Sequence, residues 1–267
     1  LSRMMSLAGV RMGITFSFIA EAEEDTRCVD GLGNIVRWHK NETAEQLYAD
    51  LGKPDRITVE RELVSAELLE SLQKYCTVHP NPQAVHVCQH RYREKQLLEK
   101  LGIACTPYTY GDAAKCNLEA MSLPVVIKTC SGGYDGKNQW VLKSQTDIEA
   151  FNTQNIEHEY IVEKWIPFDR EVSQVSVRSE NGDIFHYPLT QNTHEQGILK
   201  RSIAPAPNTL TQTTAAAQAM ISRILDELDY VGVLAMECFL VGDELLVNEL
   251  APRVHNSGHW TQAGAQT

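Results

Sequence analysis

The sequence predicts an α/β unit followed by an α+β unit, and three observations carry that expectation. Short strands and helices alternate over the first part of the chain, the pattern of a small parallel α/β domain. β-rich runs then dominate from Leu123 onward. Near the end, two apolar arms joined at Gly242-Asp243-Glu244 carry Glu237 and Glu249, one on each arm.

Residues 1–12 read as a helix, with Met4, Met5, Ala8 and Met12 at helical spacing. Gly13 leads into a β-rich run over 14–20. Helix before strand is the second half of a βαβ unit, so the first strand is expected to be missing and the N-terminus truncated. A helix over 43–52, a strand over 56–60 and a helix over 65–75 capped by Ser65 follow. Pro80 and Pro82 mark a break. Residues 84–102 read as one charged helix ending at glycine. Strands are expected over 123–129, 138–143, 160–165, 171–178 and 184–189, with a helix over 147–155. Residues 211–228 form an alanine-rich helix with Ala219, Met220, Ile224 and Leu228 on one face. The hairpin pairs 233–241 with 245–251. The polar end at Thr267 lacks a capping element, so truncation is expected there too.

A net charge of -11 over 267 residues and a pI near 5.3 argue against nucleic acid or an anionic membrane as partner. No apolar run reaches membrane-spanning length and no signal peptide is seen. The seven cysteines are scattered and odd in number without a Cys-x-x-Cys pair, so neither a zinc site nor a disulfide framework is indicated, and a reducing cytoplasm fits best.

Setting Val241 opposite Leu245 puts Glu237 opposite Glu249. Like charges facing across a ladder are destabilising, and a hard divalent cation between the carboxylates would relieve them; two exposed glutamates on a misjudged register is the plainer alternative. Upstream, Thr129-Cys-Ser-Gly-Gly-Tyr-Asp-Gly136 brings three glycines and two small hydroxyl residues to a predicted hairpin tip, where backbone amides could approach phosphate. It lacks the Gly-Lys-Ser/Thr ending of a Walker loop. Lys128, at the end of the apolar strand before it, is placed to act as a point charge on phosphate oxygens; an ordinary glycine turn beside an exposed lysine is the alternative. The strand Ile161-Val-Glu-Lys-Trp-Ile166 could present backbone to a flat base, with Trp165 and Ile166 as walls, or could be plain core. Glu171 could bind ribose hydroxyls or be a surface acid. The loop Arg253-Val-His-Asn-Ser-Gly-His-Trp260 is densely polar; Arg253 offers a planar fork for an anion, and no helix is expected across 256–258 to support zinc binding by its histidines.

These strings, together with Tyr187-Pro-Leu-Thr190, Tyr230-Val-Gly-Val233, Ala235-Met-Glu-Cys-Phe239 and the run from Asn248 to Thr261, resemble the N5-carboxyaminoimidazole ribonucleotide synthetases. These are ATP-grasp ligases of purine biosynthesis, the ATPase subunit type of phosphoribosylaminoimidazole carboxylase. The resemblance implies a Rossmann-like pre-ATP-grasp domain over 1–85 and an ATP-grasp domain over 86–267. It also implies a β-rich lid around 106–168 and an absent C-terminal domain. It further implies ATP and Mg²⁺ (Mn²⁺ as a substitute), bicarbonate and aminoimidazole ribonucleotide as substrates, a homodimer, and a cytoplasmic location. Arg91, Lys128, Gly133, Tyr134, Asp135, Gly136, Lys137, Asn138, Gln139 and His194 would contact ATP. Glu163, Lys164, Trp165 and Ile166 would hold adenine and Glu171 the ribose. Glu237 and Glu249 would hold the metal beside Asn248. Tyr134, Lys137, Arg253 and His255 would face the ribonucleotide and bicarbonate, with Arg253, His255 and Lys128 as catalytic candidates. Ser2, His90, Lys137 and Gln191 stand where that family commonly has glycine, aspartate, arginine and histidine. A formate-dependent ribonucleotide transformylase and a non-catalytic nucleotide-binding fragment are the competing readings.

Overall fold

The computed structural model describes residues 1–39, 41–111, 122–132, 138–152 and 159–265. It divides into two compact units, 1–83 and 84–267.

In the first unit, α1 (Ser2–Val10) precedes a parallel pair of strands, β1 (Ser17–Glu21) and β2 (Asn34–Trp38). Gly33 permits that pairing: a Cβ there would lie 2.1 Å from the Phe16 carbonyl oxygen. α2 (Ala44–Asp50), β3 (Arg56–Ile57), α3 (Ala66–Leu72) and β4 (Thr77–Val78) follow, with β3 and β4 again parallel. Thr43 and Ser65 cap their helices by accepting from Gln46 N and Leu68 N, at 3.2 and 3.1 Å. Leu47, Leu51, Ile57, Leu69, Leu72 and Val78 are buried. The alternation therefore produces the parallel pairing expected of it, although β3 keeps only two of its five expected residues.

The single helix expected over 84–102 is instead two, α4 (Pro82–Cys88) and α5 (Arg91–Lys100). His90 between them is extended (φ -137, ψ 109), and the Arg91 amide leaves the helical ladder to donate to the Cys130 carbonyl at 2.9 Å. Periodicity cannot show such a break, because a long-range bond replaces a local one.

Four antiparallel strands form one sheet of the second unit: β5 (Tyr108–Gly111), β6 (Val125–Thr129), β7 (Gln139–Leu142) and β8 (Tyr160–Lys164), in the order β5-β8-β6-β7. Phe151 of α6 (Gln145–Asn152) packs edge-on to Trp140 and Tyr160 over this sheet. The other sheet contains β9 (Arg170–Arg178), β10 (Ile184–His186), β11 (Thr190–Glu195), β12 (Ile198–Ile203), β13 (Gly232–Val241) and β14 (Glu244–Ala251). Its order is β12-β11-β9-β13-β14, with β10 beside β9. α7 (Thr211–Glu227) covers one face, and the short α8 (Thr261–Gly264) closes the described chain.

The α7 face is apolar. Ala217, Ile221, Ile224 and Leu225 belong to one buried cluster with Val172, Leu234, Met236, Cys238, Leu240 and Val247. The buried stripe is rotated from the one expected: Ile224 and Leu228 are buried, but Ala219 is exposed and Met220 only lines the rim. Branched Ile221 and Leu225 carry more apolar area than alanine and decide which face turns inward. Ile221→Ala should therefore cost about 2–4 kcal/mol through the cavity it leaves. Urea titration followed by circular dichroism checks this.

Candidate functional site

The opposite face of the same sheet carries polar groups beside a small apolar cluster of Val175, Ala235 and Ala251. Near its turn the hairpin pairs Val241 with Glu244, Leu240 with Leu245 and Cys238 with Val247. The connection is thus the two residues Gly242 and Asp243, and the register is one residue off the expected one. Left uncorrected, that register would send Glu249 to the α7 side. A bulge at Asn248 inserts one extra residue, and Glu237 pairs with Glu249 after all. The expected pairing is correct, but the bulge produces it, not the turn.

Cross-strand partners share a face, so β9 and β11 extend this surface. Ser173 lies opposite Glu237, Glu171 opposite Phe239 and Asn192 opposite Glu171. His194 Nδ1 is 2.8 Å from Glu171 Oε2. Asn192 donates to Ser173 at 3.0 Å and accepts from Ser202 at 2.9 Å, which stiffens the wall. The expected strand over 184–189 stops at His186, and β11 and β12 rise from sequence too polar to read as strands.

Two cations on α5 engage carboxylates of the two sheets. Arg91 Nη1 donates to Glu249 Oε2 at 2.9 Å. Lys95, one turn later, lies 2.8 Å from Glu163 Oε1. The other Glu163 oxygen is 2.5 Å from Lys128 Nζ, which also donates to Asn248 Oδ1 at 2.9 Å. The bulge that aligns Glu249 thus also aims Asn248 at Lys128.

Burial and then the facing Glu249 push Glu237 up to about 8. Burial acts on Glu249 in the same sense, but Arg91 overrides it and holds that carboxyl down at about 2. Burial, followed by Arg253, lowers His255 to about 4. The Ser257 amide donates to His255 Nδ1 at 3.3 Å, which leaves the ring proton on Nε2, 3.3 Å from Glu237 Oε1. The Glu171 hydrogen bond raises His194. Burial lowers Lys128 despite Glu163, and the nearby Arg91 and Lys95 charges act in the same direction as burial.

The sequence matches the ATP-grasp domain over residues 96–267 and the ribonucleotide synthetase preATP-grasp domain over residues 1–89. It is 39% identical over 272 residues to the N5-carboxyaminoimidazole ribonucleotide synthase of Pseudomonas aeruginosa, covering 100% of this chain and 73% of that one. The chain belongs to this ATP-grasp family. Among solved structures, the N5-carboxyaminoimidazole ribonucleotide synthetase of Thermus thermophilus superposes with a TM-score of 0.88 at 36% identity, over 100% of this chain and 72% of that one. An ADP complex of such a synthetase gives 0.90 at 34% identity, over 100% and 71%.

Within this ATP-grasp frame the site residues fall into three groups. Arg91 with Glu249, and Lys128 with Glu163 and Asn248, form two bonded sets that meet at the chain neighbours Asn248 and Glu249. Glu171, His194, Glu237 and His255 line the same sheet face or touch it, and Arg253, whose Nη1 donates to the Val254 carbonyl at 2.9 Å, acts electrostatically on Glu237. The remainder lies on the other sheet. Asn138 donates to the Gly132 carbonyl at 3.3 Å and Gln139 pairs with Lys128. The amides of Lys164 and Trp165 already donate to Pro107 and Pro124 carbonyls, at 2.9 and 3.2 Å. Trp165 is exposed and Ile166 half-buried. The Glu163 side chain is buried on the two lysines. Gly133, Tyr134, Asp135, Gly136 and Lys137 lie outside the described residues. The loop after the hairpin does make one 3-10 turn, Asn256–Gly258, capped by His255. Among the described residues no three His, Cys, Asp or Glu converge as metal ligands.

Lys95 and Thr106 escaped the sequence reading. Lys95 stands at i+4 from Arg91, so the two share a helix face; that spacing was the available signal. Thr106 had none.

Glu237 has a folded-state pKa near 8 against an ordinary 4.5, so the native state holds an extra proton in that window and loses stability as pH rises through it. His255 works the other way between about 4 and 6.5. In metal-free buffer, Glu237→Gln should therefore be about 1–3 kcal/mol more stable than wild type at pH 8.5. The gain should nearly vanish at pH 5. Chemical denaturation at the two pH values measures it.

Proposed function

We propose that the chain joins bicarbonate to the amine of 5-aminoimidazole ribonucleotide, with ATP cleaved to ADP and phosphate. The product is N5-carboxyaminoimidazole ribonucleotide, a step of purine biosynthesis. The observation that carries this reading is Lys128. It sits at the edge of a polar face beside paired carboxylates, with half a counter-charge and a second partner, Asn248, that is neutral. An under-compensated buried ammonium attracts a phosphate oxygen.

In this reading Arg91, Lys128, Asn248 and the loop 133–139 face the ATP phosphates. Residues 163–166 flank adenine, Glu171 holds the ribose and His194 orients Glu171. Glu237 and Glu249 fit a divalent cation, Mg²⁺ with Mn²⁺ as substitute. Both lie on one sheet face, where burial and then the facing Glu249 raise Glu237. Two carboxylates with waters and phosphate oxygens suit Mg²⁺, which rarely uses an all-protein cage. When bound it would neutralise phosphate charge. Tyr134, Lys137, Arg253 and His255 would face the ribonucleotide and bicarbonate.

Bicarbonate oxygen attacks the γ-phosphorus and ADP leaves, giving carboxyphosphate. The ribonucleotide amine then takes the carboxyl carbon, phosphate leaves and the amine loses a proton. Arg91 and Lys128 oppose the crowded negative charge throughout. Neutral His255 holds its Nε2 proton toward Glu237, leaving Arg253 as the cation of that loop. From the family we infer a cytoplasmic homodimer. No helix among the described residues is long and apolar enough to cross a membrane.

ATP hydrolysis should require aminoimidazole ribonucleotide and bicarbonate together; dependence on formate, or ATP binding without turnover, would overturn the reading. Glu237→Ala should lower kcat by about 10³-fold or more while leaving the protein folded. An active variant with unchanged magnesium dependence would contradict its metal role.

A further inference from the structure

We propose that Lys95, which meets no open surface, is the positioning residue that sets the charge and aim of Lys128. The inference rests on the ATP-site reading above. Lys95 is 1% exposed. Its Nζ lies 2.7 Å from Thr106 Oγ1, 2.8 Å from Glu163 Oε1, 3.3 Å from the Asn248 carbonyl and 3.4 Å from the Val247 carbonyl. Both partners of Lys128, the Glu163 carboxylate and the Asn248 amide, belong to residues that Lys95 holds from behind.

Geometry gives this a consequence. Thr106 Oγ1 donates to Glu163 Oε1 at 2.8 Å, so that oxygen is fully engaged by Lys95 and Thr106 while only Oε2 is left to Lys128. Without Lys95, the carboxylate has one cation to serve. It can then turn both oxygens toward Lys128, neutralising it and drawing Nζ back from the open face. Sharing one carboxylate between two lysines leaves Lys128 with only one carboxylate oxygen as partner, so its Nζ stays aimed at the open face and under-compensated toward an incoming anion. The Lys95 contacts to two β14 carbonyls also fix the bulge that presents Asn248. Ion pairs buried this deeply contribute little net stability compared with apolar packing, so fixing direction is the effect that distinguishes this one.

The test is steady-state kinetics of Lys95→Met in the full chain. The KM for ATP should rise about tenfold or more, while the KM for bicarbonate stays within about twofold. Adding Glu163→Gln, which removes the carboxylate that would capture Lys128, should recover part of the lost ATP affinity; coupling of that sign is not expected of a purely structural lysine. Folded Lys95→Met with an unchanged ATP KM, or an equal rise for all substrates, would overturn the proposal. Should Lys95→Met fail to fold, Thr106→Val decides: it should raise the ATP KM about threefold, and no change would overturn the proposal. Calorimetric titration of wild type and variants with ADP separates the two ideas. Wild type that binds ADP without turning over bicarbonate defeats the proposed function, whereas equal ADP affinity in wild type and Lys95→Met defeats the role of Lys95.

Discussion

Two carboxylates are made to face each other across an antiparallel ladder, and the rest of the site follows from that constraint. Glu237 and Glu249 are paired although like charges at such positions repel. The conflict is resolved unequally. Arg91 keeps Glu249 ionised, whereas Glu237, with only partial cationic support, retains its proton to about pH 8. A ladder optimised for stability alone would put apolar or opposite charges there. The bulge at Asn248 is the local device that imposes the arrangement, because without it Glu249 would turn to the face covered by α7.

The same bulge joins the two sheets of the second unit. Asn248 points its amide at Lys128 on the four-stranded sheet, and its carbonyl accepts from Lys95 on α5. Glu163, at the end of β8, closes the circuit between both lysines. Charge is thereby distributed by position. Glu163 and Glu249 are fully ionised and matched to cations, while Lys128 has less counter-charge than it would in an isolated pair. That imbalance suits a site meant to receive a polyanion, and α5 supplies it through Lys95, which shares Glu163 with Lys128.

Much of the scaffold was legible in the sequence because its signals are local. Ser65 and Thr43 cap where polar residues precede apolar periodicity, and the parallel pairs of the first unit follow from strand–helix alternation. Glu237 and Glu249 were visible as acids in otherwise apolar arms. What stayed hidden is non-local. The split between α4 and α5 depends on a bond to residue 130. The strands 190–195 and 198–203 lack clean apolar alternation, and their pairing with β9 and with each other is non-local. The pairing of the Glu163 side chain with two lysines depends on α5 and β6 lying beside β8, and the burial of Lys95 depends on three elements converging. The inward face of α7 was misjudged by spacing alone, since side-chain size at 221 and 225 decides it.

The central claim is that the two glutamates share one electrostatic field. Carbon-13 NMR of side-chain-carboxyl-labelled glutamate, titrated in metal-free buffer, tests it most directly. The account predicts two widely separated titrations, Glu237 near pH 8 and Glu249 near pH 2. It also predicts that added Mg²⁺ and ATP move the Glu237 titration to lower pH. Two independent titrations near the ordinary glutamate value of 4.5, both indifferent to Mg²⁺ and ATP, would contradict it.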